Sequence, residues 1–299
     1  MVAVVAVAGE AAMTGLEADH AACAAILRRS GSSFALPISL LPAAKRRGTT
    51  ALYAFCRVAD DLVDEAADPA SAAEALASFG AATDDALAGV HVEEPVLRAV
   101  ADTVRRYAVP PECLRDVLAG VRMDLDRADY DTPAELELYC SRVASAVGIA
   151  SIHVWGFIDP AAIRAAHDCG VAFQLTNILR DVPEDLARGR VYLPRADFAA
   201  CGCRPDDLIA GRIGPEFAAL ATLEVERATA RFRAAAALDR MLSTDGRVVF
   251  RTMFGVYRAL LAAVRRAGPA IFTARVRPAK PRLLASAAAT LALGTGWRR

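Results

Sequence analysis

The stretch ALYAFCRVADDLVDE, residues 51–65, indicates both the fold class and the position of a site. Its apolar residues recur at three- and four-residue spacing, which predicts one face of an α-helix, and its apolar beginning indicates that this helix is largely buried. Asp60 and Asp64 are four residues apart, so their carboxylates lie one above the other on a single helix face. Like charges at that spacing repel, and burying them is costly unless cations are bound there.

A second acidic stripe follows in QLTNILRDVPED, residues 174–185. Asn177, Asp181 and Asp185 stand at positions i, i+4 and i+8 at the end of an apolar helix. Two such stripes facing each other across a helical bundle would hold Mg²⁺ through a few carboxylates and leave coordination positions for substrate phosphates. This arrangement suits the ionisation of a diphosphate. For either stripe taken alone, a solvated helix face remains an equal alternative.

Helical periodicity continues through the rest of the chain. No run alternates with a two-residue period between turn signals, so the sequence predicts an all-α fold. Another helix begins at Asp159-Pro160, and the remaining helices are predicted at 14–30, 42–65, 71–88, 94–107, 111–127, 133–154, 215–243, 247–267 and 279–293. No linker or internal repeat divides the chain, so we expect one domain over residues 1–299. About ten helices would surround one cavity, with residues 14–294 as the ordered core.

Composition excludes several classes of protein. The 299 residues are 55% apolar and carry 35 basic and 35 acidic side chains, a balance that argues against a nucleic-acid-binding surface. The seven cysteines are scattered and the four histidines form no zinc-ligand spacing, which predicts no structural metal. No segment has the features of a signal peptide or the length of a membrane span. We therefore expect a cytoplasmic protein, free or peripheral on a membrane.

At these residues the chain resembles the squalene/phytoene synthase family, the head-to-head prenyl transferases. The resemblance covers nearly the whole chain and rests on three long motifs in the expected order. They are residues 33–42 with 53–65, the central helix YCSRVASAVG at 139–148, and residues 173–194, which end in the flap segment RGRVYLP at 188–194.

The resemblance implies an isoprenoid synthase fold and a condensation of two prenyl diphosphates through a cyclopropylcarbinyl diphosphate. It also implies Mg²⁺, or Mn²⁺ in its place, as the cofactor. NADPH is not expected, because no glycine-rich strand-turn-helix fingerprint is visible. Phytoene from geranylgeranyl diphosphate is the favoured product. Presqualene diphosphate or squalene from farnesyl diphosphate stays open as the alternative, and neither the chain length of the substrate nor the oligomeric state is predicted.

The same resemblance assigns roles to individual residues. The predicted metal ligands are Asp60, Asp61, Asp64, Asn177, Asp181 and Asp185. The predicted catalytic residues are Asp60, Asp64, Asp181, Tyr53 and Arg57. The predicted substrate-binding residues are Ser33, Tyr139, Gln174, Arg180, Arg190 and Tyr192; Ser33 would approach a diphosphate, Arg57 and Arg180 would contact phosphate, and the others would line the cavity with Tyr53. Each tyrosine also fits packing in the core.

Pro183 departs from the family pattern. It lies between Asp181 and Asp185, where proline removes a helical hydrogen bond and disfavours α geometry at Val182. We therefore expect the helix to kink or restart at this point. Whether Asp185 remains on the acidic stripe depends on the course of the chain after Pro183.

Three rival classes of protein stay open. A head-to-tail synthase or terpene cyclase could share the helices and aspartates, but it would not explain residues 139–148 or 188–194. A non-catalytic binding or assembly protein could have the same fold, because fold does not determine function. Loss of the aspartates would mark such a relative, and here they are present. A purely structural protein would leave the two acidic stripes unexplained.

Overall fold

The structure, a computed structural model, describes residues 2–126, 129–272, 276 and 280–293. These residues form fifteen α-helices, one π-helical segment and one 3₁₀ turn, which confirms the predicted all-α fold. The helices are α1 (Val2–Arg29), α2 (Ala35–Ser39), α3 (Ala43–Asp64), α4 (Pro69–Ala88), α5 (Pro95–Tyr107), α6 (Pro111–Asp126), α7 (Pro133–Cys140), α8 (Ala146–Trp155), α9 (Ala162–Ala187), α10 (Arg195–Ala200), α11 (Pro205–Ile209), α12 (Pro215–Ala235), α13 (Leu238–Met241), α14 (Thr244–Ala267) and α15 (Lys280–Leu293). No helix within these ranges is long and apolar enough to cross a membrane.

Three predicted helices differ from the observed ones. The first begins at Val2 instead of residue 14, in an alanine-rich stretch that no proline interrupts. The predicted helix at 133–154 contains the π-helical segment Ser141–Ser145, which joins α7 to α8. The predicted helix at 215–243 is two helices that are separated at Ala236 and Ala237. The second one ends before Leu242, which has an extended backbone and forms an isolated bridge with Phe157.

The predicted restart at Pro183 is wrong. Helix α9 runs without interruption from Ala162 to Ala187 and contains Pro183 in its interior. An internal proline costs a helix about 3 kcal/mol. Here α9 is packed against α8, α12 and α14, and Leu179 and Val182, which precede Pro183, are buried. This packing offsets the lost hydrogen bond, so Asp185 remains on the same helix as Asp181.

A close helix contact joins α9 to the π-helical segment. A Cβ atom at Gly170 would overlap with backbone atoms of Ser145, so the two backbones touch at this point. The Ser145 hydroxyl donates to the His167 carbonyl oxygen at 2.7 Å and ties the same two elements together. This contact sets the distance between two walls of the central cavity.

A buried ionic cluster connects α10 to α12. The Arg227 guanidinium donates to both carboxylate oxygens of Asp197, at 2.8 and 3.1 Å, and to Oε1 of Glu224 at 2.5 Å. Glu224 is 0% exposed, and this burial raises its pKa to about 7. Burial acts on Asp197 in the same direction, but hydrogen bonds from Arg227 and Glu224 lower its pKa overall. Glu224 therefore holds the proton, and Asp197 carries the charge that Arg227 balances.

We expect Gly170→Ala to lower the free energy of unfolding by about 2 kcal/mol or more, because the added methyl group forces apart two packed backbones. Gly80→Ala is the matched control. A Cβ at Gly80, inside α4, would meet only Leu118 Cδ1 at 3.7 Å, so this change should be neutral or stabilising by up to about 1 kcal/mol. Urea unfolding followed by circular dichroism measures both. Equal effects of the two substitutions would contradict the proposed contact.

The assignment of the proton to Glu224 predicts a pH-dependent stability. An acid whose pKa is raised in the folded state contributes stability that is lost as the pH rises through its folded value, here about 7. Glu224→Gln removes this titration. The stability of the variant relative to wild type should therefore rise by on the order of 1 kcal/mol between about pH 5 and about pH 8. Glu226→Gln, an exposed change on the same helix, should show a flat difference, and a flat result for Glu224→Gln would refute the assignment.

Candidate active site

A cavity of about 330 Å³ lies between α2, α3, α8, α9 and α14. Most of its wall is apolar, and the apolar residues include Phe34, Ile38, Leu52, Val147, Ile152, Phe173, Phe250 and Met253. The rings of Phe173 and Tyr257 stack with centroids 3.9 Å apart, and Phe34 stacks on Tyr257 at 6.1 Å. Such a wall excludes water and offers ring faces to a cation.

Five of the predicted site residues line this cavity. They are Tyr53, Arg57, Asp60, Gln174 and Asn177. One other prediction is placed differently: Ser33 is exposed, and its neighbour Ser32 lines the cavity instead. A polar group of residues from α3 and α9 is thus joined to an apolar chamber.

The first acidic stripe occupies the last turns of α3. Asp60 is open to the cavity that it lines, but the protein surrounds it on its other sides. This desolvation, together with the charges of Asp64 and Asp124, raises the pKa of Asp60 to about 7. Asp64 is exposed one turn further on. Asp61 binds Arg57 instead, through Nε–Oδ2 and Nη2–Oδ1 contacts of 3.0 and 2.5 Å.

The second acidic stripe lies on α9. Arg180 donates two hydrogen bonds to its neighbour Asp181, one of them from Nε to Oδ1 at 2.7 Å. Desolvation, followed by the charge of Asp181, raises the pKa of Asp185 to about 7. Asn177 completes the stripe, and its Oδ1 is buried without a hydrogen-bond partner among the described residues. The second stripe therefore has an unused buried acceptor beside two carboxylates.

Sequence reasoning missed a carboxylate that lies between the two stripes. Asp124, in the last turn of α6, contributes to the raised pKa values of both Asp60 and Asp185. Its Oδ1 accepts a hydrogen bond from the Tyr192 hydroxyl at 2.8 Å, and its Oδ2 accepts one from the Tyr139 hydroxyl at 3.2 Å. The only sequence signal was an Asp-x-Asp pair at the end of a predicted helix, which is also typical of a solvated helix end.

Tyr139, Arg190 and Tyr192 lie beside the main cavity. The two tyrosine rings stack with centroids 5.1 Å apart, next to Asp124. The carboxylates of Asp124 and Asp64 contribute to the raised pKa of Arg190. The three predicted residues therefore border the acidic end of the site. Their assignment to substrate binding stays a prediction.

The flap, residues 188–194, begins at the carboxyl end of α9. Gly189 has φ +73°, a conformation that favours glycine, and it reverses the direction of the chain. The backbone N–H groups of Gly189 and Arg190 donate to the carbonyl oxygens of Leu186 and Asp185 at 3.0 and 2.9 Å, a Schellman arrangement. This turn brings Arg190 and Tyr192 back towards the acidic residues.

The donor set fits a hard cation such as Mg²⁺. The ligand candidates are oxygens only, they repel one another, and Asn177 Oδ1 lacks a partner among the described residues. Within the part of the chain that the structure describes, no three His, Cys, Asp or Glu side chains are placed to hold an ion by themselves. A bound cation would therefore take further ligands from the oxygens of a diphosphate and of water.

Comparison with known proteins gives the same family as the motifs. The family model described as squalene/phytoene synthase matches residues 27–283. The phytoene synthase of Arthrospira platensis is 35% identical over 266 residues, covering 85% of this chain and 86% of the relative. The 15-cis-phytoene synthase of Synechocystis sp. is 33% identical, covering 90% of this chain and 83% of the relative.

Solved structures with the same fold include two enzymes of related chemistry. A dehydrosqualene synthase superimposes with a TM-score of 0.83 at 29% identity, over 91% of this chain and 95% of the other. A squalene synthase from Alicyclobacillus acidocaldarius superimposes with a TM-score of 0.79 at 31% identity, over 85% of this chain and 95% of the other. The helical bundle is thus an isoprenoid synthase fold.

We expect Asp60→Asn, Asp64→Asn and Asp181→Asn each to lower the turnover of a prenyl diphosphate by at least about a hundredfold, about 3 kcal/mol, because each removes a charged cation ligand. Helicity should be unchanged, since each change also relieves like-charge repulsion. Glu65→Gln, an exposed change next to Asp64, is the control. Rate assays and circular dichroism on the four variants test the model. Near-normal rates for the aspartate variants would overturn it.

Proposed function

Because the chain belongs to the squalene/phytoene synthase family of head-to-head prenyl transferases, we propose that it condenses two molecules of geranylgeranyl diphosphate to phytoene. The observation that carries the proposal is the apolar cavity with Asp60 and Asn177 from opposite acidic stripes at its polar end. A leaving diphosphate needs the polar end, and the carbocation that it leaves behind needs the apolar one.

The first step of the proposed reaction is loss of diphosphate from one substrate. Asp60 and Asp64 on α3, with Asn177, Asp181 and Asp185 on α9, would hold Mg²⁺, which when bound offsets the charge of the departing diphosphate. Asp61 orients the Arg57 guanidinium and Asp181 orients that of Arg180. Both planar groups can then donate paired hydrogen bonds to phosphate oxygens.

The second step takes place in the apolar part of the cavity. The double bond of the second substrate attacks the allylic cation, and loss of a proton closes the ring of a cyclopropylcarbinyl diphosphate. This intermediate then loses its own diphosphate and rearranges. Tyr53, Phe173 and Tyr257 offer ring faces that stabilise a nearby cation by about 0.5–2 kcal/mol each. Loss of a proton then yields a neutral hydrocarbon, and no reductant is consumed.

The choice of product rests on the relatives. Phytoene synthases from two cyanobacterial sources match most of the chain and most of their own length. A second candidate is the synthesis of presqualene diphosphate or squalene from farnesyl diphosphate. The similarity to the squalene synthase from Alicyclobacillus acidocaldarius favours it, at 31% identity.

We also propose that the protein acts in the cytoplasm and rests on a membrane when product leaves, because a C40 hydrocarbon does not dissolve in water. The segment around α2 supports this. Phe34 and Ile38 line the cavity, whereas Leu36 and Leu40 on the same segment are 55% and 44% exposed. A short apolar wall therefore separates the cavity from the surroundings at this point. No nucleic-acid partner is proposed.

Incubation of the purified protein with geranylgeranyl or farnesyl diphosphate, each with and without NADPH, tests the proposal. We expect a C40 hydrocarbon with three conjugated double bonds from geranylgeranyl diphosphate, formed without NADPH. Accumulation of a C30 cyclopropyl diphosphate, or a strict requirement for NADPH, would overturn this product. A chelator should abolish activity, and Mg²⁺ or Mn²⁺ should restore it. Helicity should persist throughout, because the predicted ligands are oxygens only and no structural metal is expected.

A further inference from the structure

Asp124 joins three segments that are separate in the sequence. It lies in the last turn of α6, Tyr139 lies in α7, and Tyr192 lies in the flap. The two tyrosine hydroxyls donate to different oxygens of the same carboxylate, at 3.2 and 2.8 Å. Hydrogen bonds to a carboxylate are stronger than those between neutral groups, so this is a strong attachment for a short segment.

Arg190 lies two residues before Tyr192 in the flap. Val191 between them forms an isolated bridge with Asp129, and Tyr192 contributes to the raised pKa of Arg190, so the two side chains lie close to each other. The carboxylates of Asp124 on α6 and Asp64 on α3 contribute to the raised pKa of Arg190. The positive charge of Arg190 in turn opposes the rise in the pKa of Asp185 on α9. One flap cation is thus placed among carboxylates from three helices.

The attachment through Tyr192 is distinct from the turn that begins the flap. Up to Arg190 the flap is held by the backbone hydrogen bonds at the end of α9. Beyond Arg190 the backbone of Val191 forms an isolated bridge with Asp129. Among the described residues, Tyr192 is the flap residue whose side chain hydrogen-bonds to other elements, namely to Asp124 and, at 3.5 Å, to Tyr139. Loss of this attachment would leave the bridge in place and release the side of the flap that carries the Arg190 and Tyr192 side chains.

We propose that Asp124 is a positioning residue of the diphosphate site. It holds the Tyr192 hydroxyl and thereby places Arg190 where a diphosphate is bound between the two acidic stripes. The proposal rests on the diphosphate site described under Proposed function. It assigns Asp124 no contact with the substrate, because its two oxygens are engaged by the tyrosines.

The test uses Asp124→Asn in the full-length protein. Asparagine keeps the shape of the side chain, but one of its two polar atoms donates, so it can accept only one of the two hydroxyls through its oxygen. Without substrate, amide hydrogen exchange at residues 191–193 should accelerate about tenfold, because the flap loses one hydrogen bond to a charged group. With substrate, KM and the inhibition constant of inorganic pyrophosphate should rise about tenfold, while kcat changes less than about threefold.

Tyr192→Phe should reproduce these changes, and the double variant should be no worse than the more impaired single variant, because both remove the same contact. Asp126→Asn is the matched control: Asp126 lies on the same helix, is exposed and pairs with Arg122, so all measurements should equal wild type. Turnover is counted as pyrophosphate release. This count does not depend on which hydrocarbon forms, so a wrong product assignment leaves the test intact.

Three results would overturn the proposal. The first is unchanged exchange and KM in Asp124→Asn. The second is additivity of the Asp124→Asn and Tyr192→Phe effects, which would show that the two residues act separately. The third is faster exchange throughout α6 and α9, which would show general loss of structure instead of release of the flap.

Discussion

Three helices bring their carboxyl ends, with acidic side chains in the last turns, to the same place. Asp64 ends α3, Asp124 lies in the last turn of α6, and Asp185 lies in the last turn of α9. The carboxyl end of a helix carries a partial negative charge, so each carboxylate stands where its own helix disfavours it. Desolvation first, and then repulsion between neighbouring carboxylates, raises the pKa values of Asp60 and Asp185. This arrangement is stable only when positive charge is supplied, and the rest of the site supplies it in two ways.

The protein provides part of that charge, and the substrate complex completes it. Arg57 and Arg180 each bind the carboxylate next to them, while Arg190 returns on the flap. We propose that the remaining negative charge is balanced by cations that also bind diphosphate oxygens. The close contact at Gly170 sets α9 against the helices of the opposite wall, so the apolar cavity begins directly behind the acidic residues. In the proposed reaction, departure of diphosphate and carbocation chemistry would take place at opposite ends of one chamber.

The sequence predicted what lies on one helix better than what lies between helices. The i, i+4 spacing placed Asp60 and Asp64, and likewise Asn177 and Asp181, on single faces, because helical geometry determines this locally. The sequence signal for Asp124, an Asp-x-Asp pair at a helix end, was too ambiguous to predict its role, which depends on Tyr139 and Tyr192 from two other segments. The predicted restart of the helix at Pro183 was wrong for a related reason. Proline by itself breaks a helix, but the packing of α9 on several neighbours keeps this helix continuous.

The central claim is that the acidic residues hold divalent cations together with a diphosphate. Calorimetric titration of inorganic pyrophosphate into the protein, with Mg²⁺ and with a chelator, measures this coupling directly. We expect Mg²⁺ to strengthen pyrophosphate binding by at least about a hundredfold, and pyrophosphate to strengthen Mg²⁺ binding by the same factor, since coupling is reciprocal. Equal pyrophosphate affinity with Mg²⁺ and with chelator would contradict it.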